Sequence, residues 1–296
     1  MKILFNKKFL LHNVDSPAEG AYRVKDFTDI NDSYVNGERW IKLIHSKEYI
    51  YRIKQACFSN EVAAEVQLTK DSYEDACIGV GLAVKASDQG DFAVIRPPGH
   101  HAGRETAAGF CLFNNIAIAT QKHVNEGKKV FILDIDGHHG NGTQNIFYES
   151  KEVLFCSIHQ EGAYPYTGFV IETGKGEGFG HTMNFPLEAG KGDKEFLECV
   201  HKAIKRAQEF KPDVIAVSAG FDGYEKDRLL GLKYTRRGYY ECAYRLSKTF
   251  KNKTIFAVLE GGYHDDNRPL VDSFIEGIEI GGRPPKVRFN EDMAIG

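Results

Sequence analysis

Six short apolar runs recur along the chain, each followed by a glycine- or histidine-bearing loop and then by a longer amphipathic stretch. This alternation constrains the fold more than any other feature. The runs are Lys2–Phe5, Phe92–Ile95, Lys129–Ile135, Val153–Ile158, Asp213–Ser218 and Thr254–Leu259. Their brevity and β-branched content predict buried strands rather than helices. Between them, helical periodicity covers Tyr73–Lys85, Asn114–Val124, Lys194–Phe210, Thr235–Phe250 and Arg268–Ile278. Strands alternating with helices predict an α/β fold, one mostly parallel sheet covered on both faces. No repeat or linker divides the 296 residues, so residues 1–296 read as a single domain. The polar segment Asp26–Glu38 reads as a surface loop.

In such sheets ligands bind beyond the carboxyl ends of the strands, and the unusual residues gather there. Arg96-Pro97-Pro98-Gly99-His100-His101 follows the second run, and Asp136-Gly137-His138-His139-Gly140 follows the third. Phe221-Asp222-Gly223 and Glu260-Gly261-Gly262-Tyr263 follow the last two. Asp136 and His138 are two residues apart where a strand ends, a spacing that in extended backbone turns both toward one point. A carboxylate and an imidazole suit zinc, with iron(II) and cobalt as competitors. Asp222 is the natural third ligand, which leaves a coordination position open for catalysis. Taken singly, an aspartate at a strand end is a turn or helix cap and a histidine pair is incidental; four such strand ends together point to a metal-dependent hydrolase.

Bulk properties exclude other classes. The formal net charge of -3, from 38 basic and 41 acidic residues, gives no nucleic-acid footprint. Six scattered cysteines without a CxxC pair read as buried free thiols in a reducing compartment. The amino-terminal apolar run is short and broken by lysines, unlike a secretory signal, and no stretch has the length of a membrane span. A cytoplasmic protein is the expectation.

The segments RPPGHHA, GFCLFNNIA, DIDGHHGNGTQ, YPYTG, SAGFDGYEKDRLLGL and EGGY, in this order between Leu4 and Tyr263, resemble the motifs of the zinc-dependent histone deacetylase and acetylpolyamine amidohydrolase superfamily. The asparagine of HHGNG and the GFCLFN form resemble its class II-like and bacterial branches. The resemblance implies the arginase–deacetylase fold and deacylation of an N-acetylated amine. It implies roles too: His101 as general base and then acid, in contact with Asn141; His100 as electrostatic helper held by Asp134; Tyr263 as hydrogen-bond donor to the oxyanion. It places Gly109, Phe110 and Tyr164 along a narrow substrate tunnel. It also implies a structural monovalent-cation site, potassium by analogy, around Asp134, Asp136, His138 and Ser157. Tyr166 stands where relatives usually carry glycine, and is expected to reshape the mouth.

At the rim two features point to different substrates. Leu229 falls at the family's gatekeeper position, where leucine resembles lysine deacetylases. Glu65 lines up with an acidic loop residue that, in bacterial acetylpolyamine enzymes, would attract a second ammonium group. An acetylated lysine is the favoured substrate and an acetylated polyamine the alternative; monomer and homo-oligomer remain equally open. Two remoter readings are a binuclear manganese ureohydrolase, which needs more carboxylates than one Asp-His-Asp set, and a non-catalytic acyl-amine binding module, against which the intact His100, His101 and Tyr263 argue.

Overall fold

The computed structural model describes residues 1–12 and 14–282. At its centre is a seven-stranded sheet made of β1 (Ile3–Leu4), β4 (Phe92–Ala93), β5 (Val130–Asp134), β6 (Val153–Gln160), β7 (Thr182–Leu187), β8 (Val214–Ala219) and β9 (Thr254–Leu259). Its order is β1-β4-β9-β8-β5-β6-β7, and every pairing is parallel. A small antiparallel hairpin, β2 (Val62–Ala63) and β3 (Val66–Gln67), stands apart from it.

Every residue of β5 and β8 is buried. Successive strand side chains point to opposite faces, so both faces must be covered. α3 (Ser72–Gln89) and α4 (Asn115–Asn125) pack on each other and on the β4–β9–β8–β5 side of the sheet. α6 (Asp193–Phe210), α7 (Arg236–Thr249) and α8 (Asn267–Gly282) form a second layer, α6 lying against β6 and β7. The remaining α-helices are α1 (Glu38–Ile41), α2 (Lys47–Phe58) and α5 (Asn141–Phe147).

Local chemistry sets several of these boundaries. Asn114 caps α4 by accepting Ala117 N–H at 3.0 Å, and Ser46 caps α2 by accepting Tyr49 N–H at 3.1 Å. The chain leaves α3 through Gly90 at φ 73, the left-handed position that glycine takes without cost. All six cysteines are free and buried. Among the described residues no helix is long and apolar enough to cross a membrane.

The structure departs from the sequence reading in three places. The strand expected over Lys129–Ile135 stops at Asp134, so Asp136 and His138 lie in the loop beyond it. β2, β3, β7, α1, α2 and α5 were not anticipated. The segment Asp26–Glu38 is not simply a surface loop: Phe27 is fully buried, and Gly37 N–H donates to Cys77 O at 2.9 Å, which seats this stretch on α3.

Candidate active site

Four adjacent strands, β4, β9, β8 and β5, deliver the site at their carboxyl ends. β5 leads into Asp136 and His138, β8 into Asp222, β9 into Glu260–Tyr263 and β4 into His100 and His101. Since Asp136 and His138 are past the strand, their convergence comes from a tight loop rather than from extended spacing. His138 N–H donates to Asp136 Oδ1 at 2.8 Å, folding the loop back on its own carboxylate.

Asp136, His138 and Asp222 are buried and bring one ligating atom each within 4.8 Å of one another. His138 Nδ1 lies 2.6 Å from Asp222 Oδ2. Backbone donors orient both carboxylates: Gly261 N–H donates to Asp136 Oδ2 at 2.6 Å, and Gly137 N–H to Asp222 Oδ1 at 2.5 Å. The backbone has made room for this cluster. A Cβ at Gly220 would overlap Asp136 Oδ2, and one at Gly261 would come 2.5 Å from Asp222 Oδ2 and 2.6 Å from Asp136 Oδ2. Burial, and then the charge of Asp136, push the Asp222 carboxyl up to about 7. Two buried carboxylates beside one imidazole are a donor set that a divalent cation stabilises, so the residues present fit a metal ion.

The two histidines after β4 have opposite electrostatics. Burial disfavours charge on His100, but the Asp136 and Asp134 carboxylates overcome it and push the ring up to about 10. His100 Nδ1 sits 3.1 Å from Asp134 Oδ2. For His101, burial and then the charges of His100 and His138 hold the ring well below its ordinary value. His101 Nδ1 pairs with Asn141 Oδ1 at 2.8 Å, so Nδ1 carries the proton and Nε2 is left as the acceptor. A ring of this kind is neutral and able to take a proton at neutral pH.

Tyr263 follows Gly262, whose φ of 124 turns the chain at the end of β9. Its ring lies 6.2 Å from that of His138 and 6.0 Å from that of Phe110, centre to centre. Burial pushes the phenol well above its ordinary value, so it stays protonated and can donate a hydrogen bond. Asp134 is the register partner of Ser157 across β5 and β6, and Ser157 Oγ lies 2.9 Å from His159 Nδ1.

His138 joins the Asp136–His138–Asp222 ligand set to a cavity of about 210 Å³ lined by Glu65, His101, Gly109, Phe110, His138, Tyr164, Leu229 and Tyr263. The structure therefore brings together all five residues that the sequence reading assigned to substrate. Leu229 is 48% exposed and forms part of the rim. Glu65 occupies the turn of the β2–β3 hairpin, where both Ala64 and Glu65 have positive φ (52 and 61). From this tip Glu65 Oε2 accepts Gly109 N–H at 2.7 Å and Oε1 accepts Tyr164 Oη–H at 3.4 Å; Ala64 O accepts Phe110 N–H at 3.0 Å. Tyr166 does not line the cavity, contrary to the expectation that it reshapes the mouth. It is 71% exposed and takes φ 63, a left-handed conformation that glycine adopts more readily than tyrosine.

Three residues at the site had not been singled out. Arg23 is fully buried; its Nε donates to Gly262 O at 2.9 Å, a second nitrogen donates to Glu260 O, and its guanidinium lies 4.9 Å from the Tyr263 ring centre. Glu260 Oε2 accepts the N–H groups of Gly99 and His100 at 2.7 and 3.0 Å, which ties the β9 end to the β4 end. Asp227 accepts backbone N–H groups from both Tyr263 and Leu229. Glu260 and Asp227 fall inside the segments EGGY and SAGFDGYEKDRLLGL, whereas no motif marks Arg23.

Comparison with known proteins agrees with this geometry. The chain is 36% identical over 259 residues to histone deacetylase 14, chloroplastic, of Arabidopsis thaliana, covering 78% of this chain and 61% of the relative. It is 37% identical over 211 residues to the acetylpolyamine amidohydrolase of Mycoplana ramosa, covering 68% of this chain and 61% of that protein. The crystal structure of the HDA15 HD domain superposes with a TM-score of 0.87 at 29% identity, covering 94% of this chain and 88% of that one. The chain spans about three fifths of the length of the first curated relatives it matches. The histone deacetylase domain model matches residues 12–274, and the chain belongs to that family.

Proposed function

We propose that this protein is a zinc-dependent deacetylase that hydrolyses the amide of an acetylated lysine to acetate and the free amine. One observation carries the reading: the buried imidazole of His101, the phenol of Tyr263 and His138 of the Asp136–His138–Asp222 ligand set line one cavity. Asp136, His138 and Asp222 would hold the ion, which when bound would supply Lewis-acid polarisation of the amide carbonyl and acidify a water. His101 Nε2 takes the proton from the attacking water and returns it to the departing amine. Tyr263 Oη donates to the oxyanion that forms as the carbonyl becomes tetrahedral. His100, kept charged by its carboxylate neighbours, adds positive potential at the same place. Phe110 and Tyr164 wall the methylene chain of the substrate and keep water out. In the same proposal Asp134, Ser157, Asp136 and His138 would hold a potassium ion beneath the site.

The rim favours lysine. Glu65 already accepts from Gly109 and Tyr164, and Leu229 offers a half-exposed apolar edge. An acetylated polyamine is the second reading, supported by the exposure of the Glu65 carboxylate, which leaves it open to an ammonium group. Steady-state kinetics on an acetyl-lysine peptide, N-acetylputrescine and N8-acetylspermidine separate the two. The lysine reading expects the highest kcat/KM on the peptide, and a preference for either polyamine overturns it. A zinc-loaded protein inert toward all three overturns the deacetylase assignment.

A further inference from the structure

The loop carrying Leu229 and the turn carrying Tyr263 leave different strands, β8 and β9, yet they meet on a single side chain. Asp227 Oδ2 accepts Tyr263 N–H at 2.8 Å. Its other oxygen, Oδ1, accepts Leu229 N–H at 2.8 Å and Leu230 N–H at 3.3 Å. One carboxylate thus takes three backbone donors, two from the rim loop and one from the residue at the cavity floor. Outside this contact the same two segments are laced at the surface by Arg228–Asp265 at 2.8 Å and Lys226–Asp266 at 3.1 Å. Those pairs are exposed and contribute little on their own. The bonds to Asp227 are charge-assisted, partly sheltered from solvent and aimed along the backbone, so they set the relative position of the two segments.

The two segments also meet nearer their strands, where Phe221 N–H donates to Gly261 O at 3.1 Å and His264 Nε2 donates to Phe221 O at 2.9 Å, but it is Asp227 that bonds Leu229 and Tyr263 themselves. Tyr263 lies beyond the last paired residue of β9, Leu259, after a glycine at φ 124. The rim loop lies beyond β8 and touches the metal loop through Leu230, whose side chain occupies the space that Gly137 leaves by lacking a Cβ.

We infer that Asp227 is a positioning residue that joins the Leu229 rim loop and the Tyr263 turn into one rigid unit, so that the tunnel mouth sets where the phenol sits above the metal cluster. The catalytic consequence rests on the proposed role of Tyr263 as oxyanion donor; the mechanical link rests on the hydrogen bonds alone. The chemistry needs this precision, because a displacement of about 1 Å at a reacting geometry costs on the order of 10²-fold in rate.

The test uses the full chain with four variants: Asp227→Ala, the near-isosteric Asp227→Asn, Tyr263→Phe, and Asp227→Asn combined with Tyr263→Phe. Hydrogen exchange of the metal-free protein reads the link directly. In Asp227→Ala the N–H groups of Tyr263, Leu229 and Leu230 should lose protection together, while those of β9 keep theirs. Should that variant fail to fold, Asp227→Asn, which keeps the volume, is expected to expose the same three amides to a smaller degree. In the zinc-loaded protein either Asp227 variant should lower kcat roughly 10- to 100-fold with KM nearly unchanged and full metal content. The double variant should turn over no slower than Tyr263→Phe alone, since both changes remove one interaction. Independent exchange of the three amides, or losses that multiply in the double variant, overturns the inference. If the wild type is inert toward every acetylated amine but the three amides still respond as a unit, the proposed function fails and the link holds.

Discussion

Replacing Tyr263 with phenylalanine removes one oxygen from the cavity floor and little else. The ring keeps its neighbours, Phe110, His138 and the Arg23 guanidinium, because none of these contacts involves the hydroxyl. The backbone bond from Tyr263 N–H to Asp227 is also untouched. Stability should therefore change by less than about 1 kcal/mol, the range of single hydrogen bonds. What disappears is a buried donor held protonated and preorganised toward the developing negative charge. Removing a single donor of this kind costs about 3–4 kcal/mol of transition-state stabilisation, or roughly 10²- to 10³-fold in kcat. The assay is kcat and KM on the best substrate of the three-compound panel, with zinc content and Tm measured on the same preparation. A loss in kcat with KM, metal and Tm preserved is the expected result. A variant that retains more than about half the wild-type kcat would refute the oxyanion assignment, since an interaction formed only in the transition state cannot be removed without slowing the step.

Two further outcomes follow from packing and charge. Asp222→Ala removes a ligand, and Gly220→Ala drives a methyl into Asp136 Oδ2; both should purify with well under one zinc per chain by elemental analysis, and full occupancy in either contradicts the cluster geometry. Asp75 is a buried carboxyl whose Oδ2 has no hydrogen-bond partner, and burial, then Asp71 and Glu74, push it up to about 8. Its folded pKa lies above the unfolded value near 4, so its contribution to stability is complete below about pH 4 and is lost as pH rises through about 8. Asp75→Asn should melt several degrees higher than wild type at pH 9 and converge with it near pH 4; parallel melting curves across that range would show that Asp75 is not buried uncharged.

The strands that the sequence made legible were those buried on both faces, where an unbroken apolar run is the signal. β7 escaped because it lies at the sheet edge: Thr182, Asn184 and Pro186 interrupt its run, and only two of its six residues are buried. α5 escaped because it opens Asn141-Gly142-Thr143, which reads as a turn by propensity and becomes helical through tertiary packing. At the site, residues that act through side-chain chemistry could be found from their types and spacing. Arg23 and Asp227 act instead on backbone groups, a carbonyl 239 residues away for Arg23 and an N–H 36 residues away for Asp227. Such partners carry no side-chain identity, so no local pattern announces them. The spacing argument for Asp136 and His138 names a pair that the structure does bring together, but through a loop folded on its own carboxylate rather than through extended backbone.

The sheet order has a consequence for assembly. Asp136, His138 and Asp222 follow β5 and β8, strands that are adjacent in space but separated in the chain by α5, β6, β7 and α6. A slip of this pair by two residues would keep every apolar side chain on its proper face while carrying Asp222 about 6–7 Å from His138. Hydrophobic burial alone discriminates weakly between those two pairings. Cation capture discriminates strongly, because the donor atoms converge only in the native register. A divalent ion held by Asp136, His138 and Asp222 would therefore favour the native pairing at the centre of the sheet, and loading it during refolding is expected to raise the yield of correctly paired chains.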